Sequence, residues 1–343
     1  MLVFYLVFIC FYMSLILVLL FFLFSLYLIL RGSDWITDSS THVARRLGTS
    51  HLAVGLIVIS FLLSLPELAI AVYSILKGHP AIGFGASIGS VIVNIGLIVG
   101  ISALVRPMRV PRIMVTRDMI FMMVVSIVVV AMGLEDRSLS RTDGFVFILL
   151  FIPYVINVIE QERCLTRNEK KVKTEKITEA LEMYGEYVLD HKPKYGLKYF
   201  VFGVIILLLG SYIFVDVLLE ISSYLKLPEL LVGITLGALG PSIPNLAASL
   251  GAARKGVEEL VVSETIGSNI FTLLITLGVI AILSPVVVDD MTAMVTAPAL
   301  LLVTFILLVA SLTGHVRRRD GLLLLLAYLG TVIAEFIFRI GGG

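Results

Sequence analysis

From Met1 to Leu30 the chain carries no charged side chain, and apolar runs of similar length recur to its end. About 20 apolar residues are what a helix needs to cross the hydrocarbon core of a bilayer. Lipid offers the backbone no hydrogen-bond partners, so a segment at that depth must satisfy its own N–H and C=O groups. The first run lacks the basic start and short apolar region of a secretion signal, and is read as a span. Further runs lie at roughly 50–76, 80–105, 118–134, 144–160, 199–220, 228–253, 260–288, 291–314 and 320–340, giving ten spans. Composition agrees: 59% of the 343 residues are apolar and 15% charged, where a soluble domain carries about a quarter charged. Water-soluble domains, disorder and collagen-like repeats are excluded. A net charge of +1 supplies no basic face for nucleic acid. Cys10 and Cys164 stand far apart without metal-ligand spacing and read as small hydrophobes.

The expected fold class is all-α, a polytopic membrane protein of ten helices. The one long polar segment, 161–198, separates a first half, 1–160, from a second, 199–343. Of the 26 Lys and Arg residues, all but Lys77, Arg137, Arg141, Lys226 and Arg339 fall in the central segment or in loops one, three, seven and nine. The positive-inside rule then puts the central loop in the cytoplasm and both termini outside, in a plasma or inner membrane.

Laid over itself so that Gly32 meets Gly210, the chain repeats: positions 32–101 share 18 identities in 70 with the second half, without a gap. Ser64-Leu-Pro-Glu-Leu-Ala meets Ser242-Ile-Pro-Asn-Leu-Ala, and Ile88-Gly-Ser meets Ile266-Gly-Ser. Five spans separate the copies, an odd number, so they should cross the membrane in opposite senses. Such inverted repeats mark secondary transporters, with the site near the midplane where the copies meet. Pro66 and Pro244 each remove a backbone donor in mid-span, which should kink or break the helix and free carbonyls for an ion. Ser60, Ser64, Ser90 and Asn94 cluster near the first proline; Ser242, Asn245, Ser268, Asn269 and Thr272 near the second. Glu67 follows Pro66 directly, and a carboxylate at that depth is costly enough to read as functional.

SLPELA, IGSVIVN, SIPNLA and IGSNIFT together resemble the cation/Ca²⁺ antiporter superfamily, most closely the prokaryotic sodium/calcium exchangers. The resemblance runs over nearly the whole chain, with exchanger repeats at about 50–103 and 228–283. It implies ten spans in two inverted five-helix repeats, and transported Na⁺ and Ca²⁺ (or H⁺). It also implies a metal site of Glu67, Ser64, Ser90, Asn94, Ser242, Asn245, Ser268 and Thr272, with carbonyls from Ser60 and Ala238. The chain departs from that pattern where the second-repeat glutamate is Asn245, where a second acid is Thr272, and where Leu63 and Pro241 precede the serines.

Ca²⁺ prefers six to eight oxygens with several carboxylates. Glu67 alone would leave it with uncompensated charge in a low-dielectric site. One carboxylate with neutral oxygens balances Na⁺ or H⁺. Glu264, one helical turn before Ser268, could compensate; its place beside Glu258 and Glu259 at a span mouth favours a merely solvated acid. Asp38 and Asp216 are aligned by the repeat near helix ends, and Glu335 receives no role.

Gly85–Gly89 fits the G-x-S-x-G pattern of a hydrolase, but in a membrane span it reads as small-residue helix contact. With no metalloprotease or P-loop signature, the expectation is a transporter and not an enzyme. It would work on inorganic cations in a lipid bilayer without cofactor, nucleotide or nucleic acid. Three readings stand: a sodium/calcium antiporter working by alternating access around Glu67; a monovalent cation or proton exchanger that does not carry Ca²⁺; and a degenerate, non-transporting ion-binding membrane protein.

Overall fold

A computed structural model describes residues 16–36, 39, 64–163, 196–255 and 258–341. Ser60, Asp38, residues 1–15 of the first span and the start of the second lie outside these residues. Among the described residues, eight helices are long and apolar enough to cross a membrane, or nine with one bent pair included. In chain order they begin with α1 (Ile16–Ile36), a shorter apolar helix α2 (Leu65–Leu76), α3 (Pro80–Val105), α4 (Arg112–Glu135) and α5 (Arg141–Arg163). The second half brings α6 (Leu197–Leu225), α7 (Glu229–Ile243 with Asn245–Arg254), α8 (Val261–Leu283), α9 (Thr292–Leu312) and α10 (Arg318–Gly341). The bent pair is α7, whose two parts meet at 54° across residue 244, the proline without a backbone donor. Pro66, by contrast, sits in the first turn of α2, where a missing N–H costs nothing.

The eighth span ends earlier than the apolar run to 288 suggests. Helix α8 stops at Leu283, Ser284 turns extended (φ −146°, ψ 109°), and Val286–Val287 form a strand. Pro285 is the reason: its ring clashes with a helical preceding residue. Pro107, its counterpart in the first copy, does the same to Arg106 (φ −145°, ψ 127°) at the end of α3.

Such recurrences run through the structure. Strand β1 (Met108–Arg109) pairs antiparallel with β4 (His315–Val316), and β2 (Ser138–Leu139) with β3 (Val286–Val287). Exchanging the halves turns one ladder into the other: Met108 opposite Val316 becomes Val286 opposite Leu139, and Arg109 opposite His315 becomes Val287 opposite Ser138. Helices α3 and α8 each contain a π-helical stretch, Val93–Val99 and Thr272–Thr276, and α4 and α9 begin with one each, at Val115–Met119 and Thr292–Thr296.

Close approaches between helices follow the same relation. A Cβ on Gly144 would stand 2.6 Å from the Gly278 carbonyl oxygen, and one on Gly321 equally close to that of Gly100. A Cβ on Gly32 would strike the α6 backbone at Leu207, and one on Gly210 the α1 backbone at Ile29. Without side chains at these crossings the helices meet backbone to backbone, which is how membrane helices gain packing energy when lipid is as apolar as they are. The main core joins Ile88, Ile95, Ile98 and Val99 of α3 to Ile266, Ile270, Leu274 and Leu277 of α8. Helices α1 and α6 lie at the periphery, with Leu17, Leu20, Leu23, Val201, Ile205 and Leu209 exposed.

Candidate ion site

Helix α2 packs against the π-helical stretch of α8, and α7 against that of α3. A π turn carries an extra residue and disturbs the regular ladder, so it frequently marks a functional position. Asn94 lies inside the first stretch, and Thr272, its counterpart in the second copy, opens the other.

Two hydrogen bonds join the halves here. Ser64 Oγ and Ser268 Oγ are 2.9 Å apart, and Asn94 Nδ2 donates to Asn269 Oδ1 at 3.0 Å. All four residues are buried. Glu67, one turn beyond Ser64, is 2% exposed, and its Oε2 has no hydrogen-bond partner. The same holds for Asn94 Oδ1, Ser242 Oγ, Thr272 Oγ1 and Thr276 Oγ1, all on buried residues. Buried polar atoms are almost always hydrogen-bonded, and each orphan costs about 1–3 kcal/mol. Orphan oxygens on α2, α3, α7 and α8, the helices that meet across the repeats, are the kind of ligand a dehydrated cation takes in place of water.

Among the described residues the remaining expected ligands are buried as well. Ser90 is fully buried, but its hydroxyl donates to the carbonyl of Ser87 in its own helix at 2.9 Å. Asn245 is 6% exposed and Ala238 fully buried. Thr276 escaped the sequence reading; its only signal was the one-turn spacing from Thr272. Asn269 belongs to the polar cluster of the second copy but not to the expected ligands; here it accepts the hydrogen bond from Asn94.

Glu264 departs from the expected solvated acid. It is only partly exposed and stands within electrostatic reach of Glu67. Among the described residues no three His, Cys, Asp or Glu side chains converge as a metal-binding group.

Several charged groups elsewhere are paired. Lys77 bridges to Asp216 and lies over the Tyr212 ring, 3.5 Å from its centroid. His79 Nδ1 meets Glu229 Oε1 at 2.7 Å. Glu335, given no role from the sequence, is fully buried; it accepts from Thr296 and from Arg339. Arg339 also donates to Asp289 Oδ2 at 2.5 Å and to Thr292 Oγ1 at 3.1 Å. Asp289 itself is outside the spans. Burial alone would raise its pKa, but hydrogen bonds from Arg339 and Thr292 outweigh that and hold it below its ordinary 3.8.

The family described as sodium/calcium exchanger protein matches residues 17–160 and 195–336. The chain belongs to that family. It is an integral membrane protein, and some of its relatives are named as exchangers or antiporters. It is 28% identical over 339 residues to the sodium/calcium exchanger MaX1 of Methanosarcina acetivorans, covering 92% of this chain and 97% of that one. Against inner membrane protein YrbG of Escherichia coli it is 30% identical over 266 residues, 78% of this chain and 80% of the relative. The structure of the sodium-calcium exchanger NCX_Mj soaked with 100 mM Na⁺ and 10 mM Sr²⁺ superimposes with a TM-score of 0.64. Its identity is 27%, over 93% of this chain and 98% of that one.

Proposed function

We propose that the protein is a secondary-active cation antiporter, with ten spans in two inverted five-helix halves, 1–160 and 199–343, joined by the loop 161–198. The ions cross at a site around Glu67 with Ser64, Ser90, Asn94, Ser242, Asn245, Ser268 and Thr272, and with the carbonyls of Ala238 and of Ser60, which lies outside the described residues. The observation that carries this reading is the buried Glu67 carboxylate, with an unpartnered oxygen, one turn from the Ser64–Ser268 hydrogen bond that joins the two copies. Downhill entry of Na⁺ or H⁺ drives the counter-ion, nominally Ca²⁺, by alternating access.

The loop contacts support a consistent sidedness. The β1·β4 ladder ties loop three to loop nine, β2·β3 ties loop four to loop eight, and His79–Glu229 joins the turn before α3 to the start of α7. Odd loops meet odd loops and even meet even. The Lys and Arg bias then places the odd set, with the central loop, in the cytoplasm, and both termini outside.

Asn245, standing where the second repeat would carry its glutamate, favours one alternative, a monovalent cation or proton exchanger that does not carry Ca²⁺. Flux in proteoliposomes under imposed Na⁺ and pH gradients, with and without Ca²⁺, separates the readings. Glu67→Gln should abolish exchange while the protein stays folded. Retained flux in that variant refutes the site; ion binding without any counterflow in the unmodified protein would mark a degenerate, non-transporting member.

A further inference from the structure

Helices α2 and α8 leave the Ser64–Ser268 contact in the same direction, because α2 packs on Thr272–Thr276 and then on Leu277–Leu283. Glu67 lies three residues beyond the contact along α2, and Glu264 four residues before it along α8. At about 1.5 Å of rise per residue the two acids are offset by about 10 Å along the axes. That offset sets Glu264 about two helical turns from Glu67, near enough for its field to reach an ion held at Glu67. It is half-buried, so water screens that field only in part.

Resting on the site proposed around Glu67, we propose that Glu264 is a specificity-determining residue that favours divalent over monovalent cations through its charge, without touching the ion. A unit charge about 10 Å away at an effective dielectric constant of about 20 changes cation affinity roughly tenfold per unit of ion charge. The factor is squared for a divalent ion, to roughly a hundredfold. A neutral ligand lost from the shell has no reason to follow that square. This supplies the second negative charge that Asn245 and Thr272 do not.

The test is ion binding by the purified full chain, titrating Na⁺ and Ca²⁺ separately against thermal stability. Glu264→Gln should weaken Ca²⁺ by roughly a hundredfold and Na⁺ by roughly tenfold, and Glu264→Asp should restore both. Equal weakening of the two ions, or none, overturns the proposal. Should Glu264→Gln fail to fold, Glu264→Cys in a chain with Cys10 and Cys164 replaced by serine takes its place. A negatively charged thiol reagent must then recover Ca²⁺ binding, and a positively charged one must weaken it further; the same response to both overturns the idea. Glu67→Gln is run in parallel. Undiminished binding there defeats the site reading, while the Ca²⁺ to Na⁺ ratio still judges Glu264. A wild-type protein that binds neither ion defeats both.

Discussion

Replacing Gly144 by alanine tests whether the α5–α8 crossing is packed backbone to backbone. The added Cβ would lie 2.6 Å from the Gly278 carbonyl and 2.8 Å from Ile282 Cγ1, where ordinary contact begins at 3.4 Å. The obstacle is α8 backbone, so the helices must part by about 0.8 Å, the shortfall from ordinary contact, just beyond Thr276. Overpacking of this kind costs about 1–3 kcal/mol. Against it stands the gain of about 0.5–1 kcal/mol from removing a glycine from a helix interior. Gly330→Ala in α10 is the control, because nothing lies within 4 Å of its Cβ position. Both variants share the backbone gain, so their difference isolates the packing cost: Gly144→Ala should be about 1–3 kcal/mol less stable than Gly330→Ala. Reversible unfolding in mixed detergent and SDS micelles measures it. Gly321→Ala, equally close to the Gly100 carbonyl, should match Gly144→Ala. If Gly144→Ala proves as stable as Gly330→Ala, the crossing is not tight and the reasoning fails.

Asn245→Glu places a second carboxylate in the site and should strengthen Ca²⁺ binding relative to Na⁺; an unchanged ratio in ion titrations would remove Asn245 from the ligand set. A double-mutant cycle on Ser64→Ala and Ser268→Ala should show a coupling of about 0.5–1.5 kcal/mol in unfolding, as for a direct hydrogen bond, and additive effects would deny the contact. Arg339→Met should destabilise by about 3–5 kcal/mol because it strands the buried Glu335, and adding Glu335→Gln should recover much of that loss. Asp289 has a depressed pKa in the folded protein, so its contribution is present above the ordinary 3.8 and disappears as pH falls below it. Unfolding measured from mildly acidic pH downward should therefore lose a component in that range, and Asp289→Asn should flatten it.

The features legible in the sequence were those written locally. The ungapped repeat is written in the chain itself and pairs Ser64 with Ser242 and Asn94 with Thr272, whereas the helix end at Pro285 was masked by the apolar residues that run on to 288. What stayed hidden depends on contacts between distant segments. Ser90 looked like Ser64 in its motif, but only the fold decides that its hydroxyl turns back to its own helix while Ser64 reaches Ser268. Glu264 reads as a wet span mouth because its sequence neighbours Glu258 and Glu259 are acidic, and sequence does not report depth. Glu335 and Arg339 stand one turn apart on α10, but nothing in the sequence announces that Asp289, from the loop before α9, meets Arg339 there. Pro66 has the sequence of a kink, yet it occupies the first turn of α2.

The glycine crossings and both short ladders join an element made early in synthesis to one made late: Gly144 to Gly278, Gly100 to Gly321, Met108 to Val316. A nascent chain released into the bilayer up to the central loop would therefore hold bare grooves and an uncompensated Glu67 until its remaining spans emerged. Assembly has to close like two interleaved hands after translation has passed the loop, and coexpressed fragments 1–160 and 199–343 should find one another where either alone is degraded.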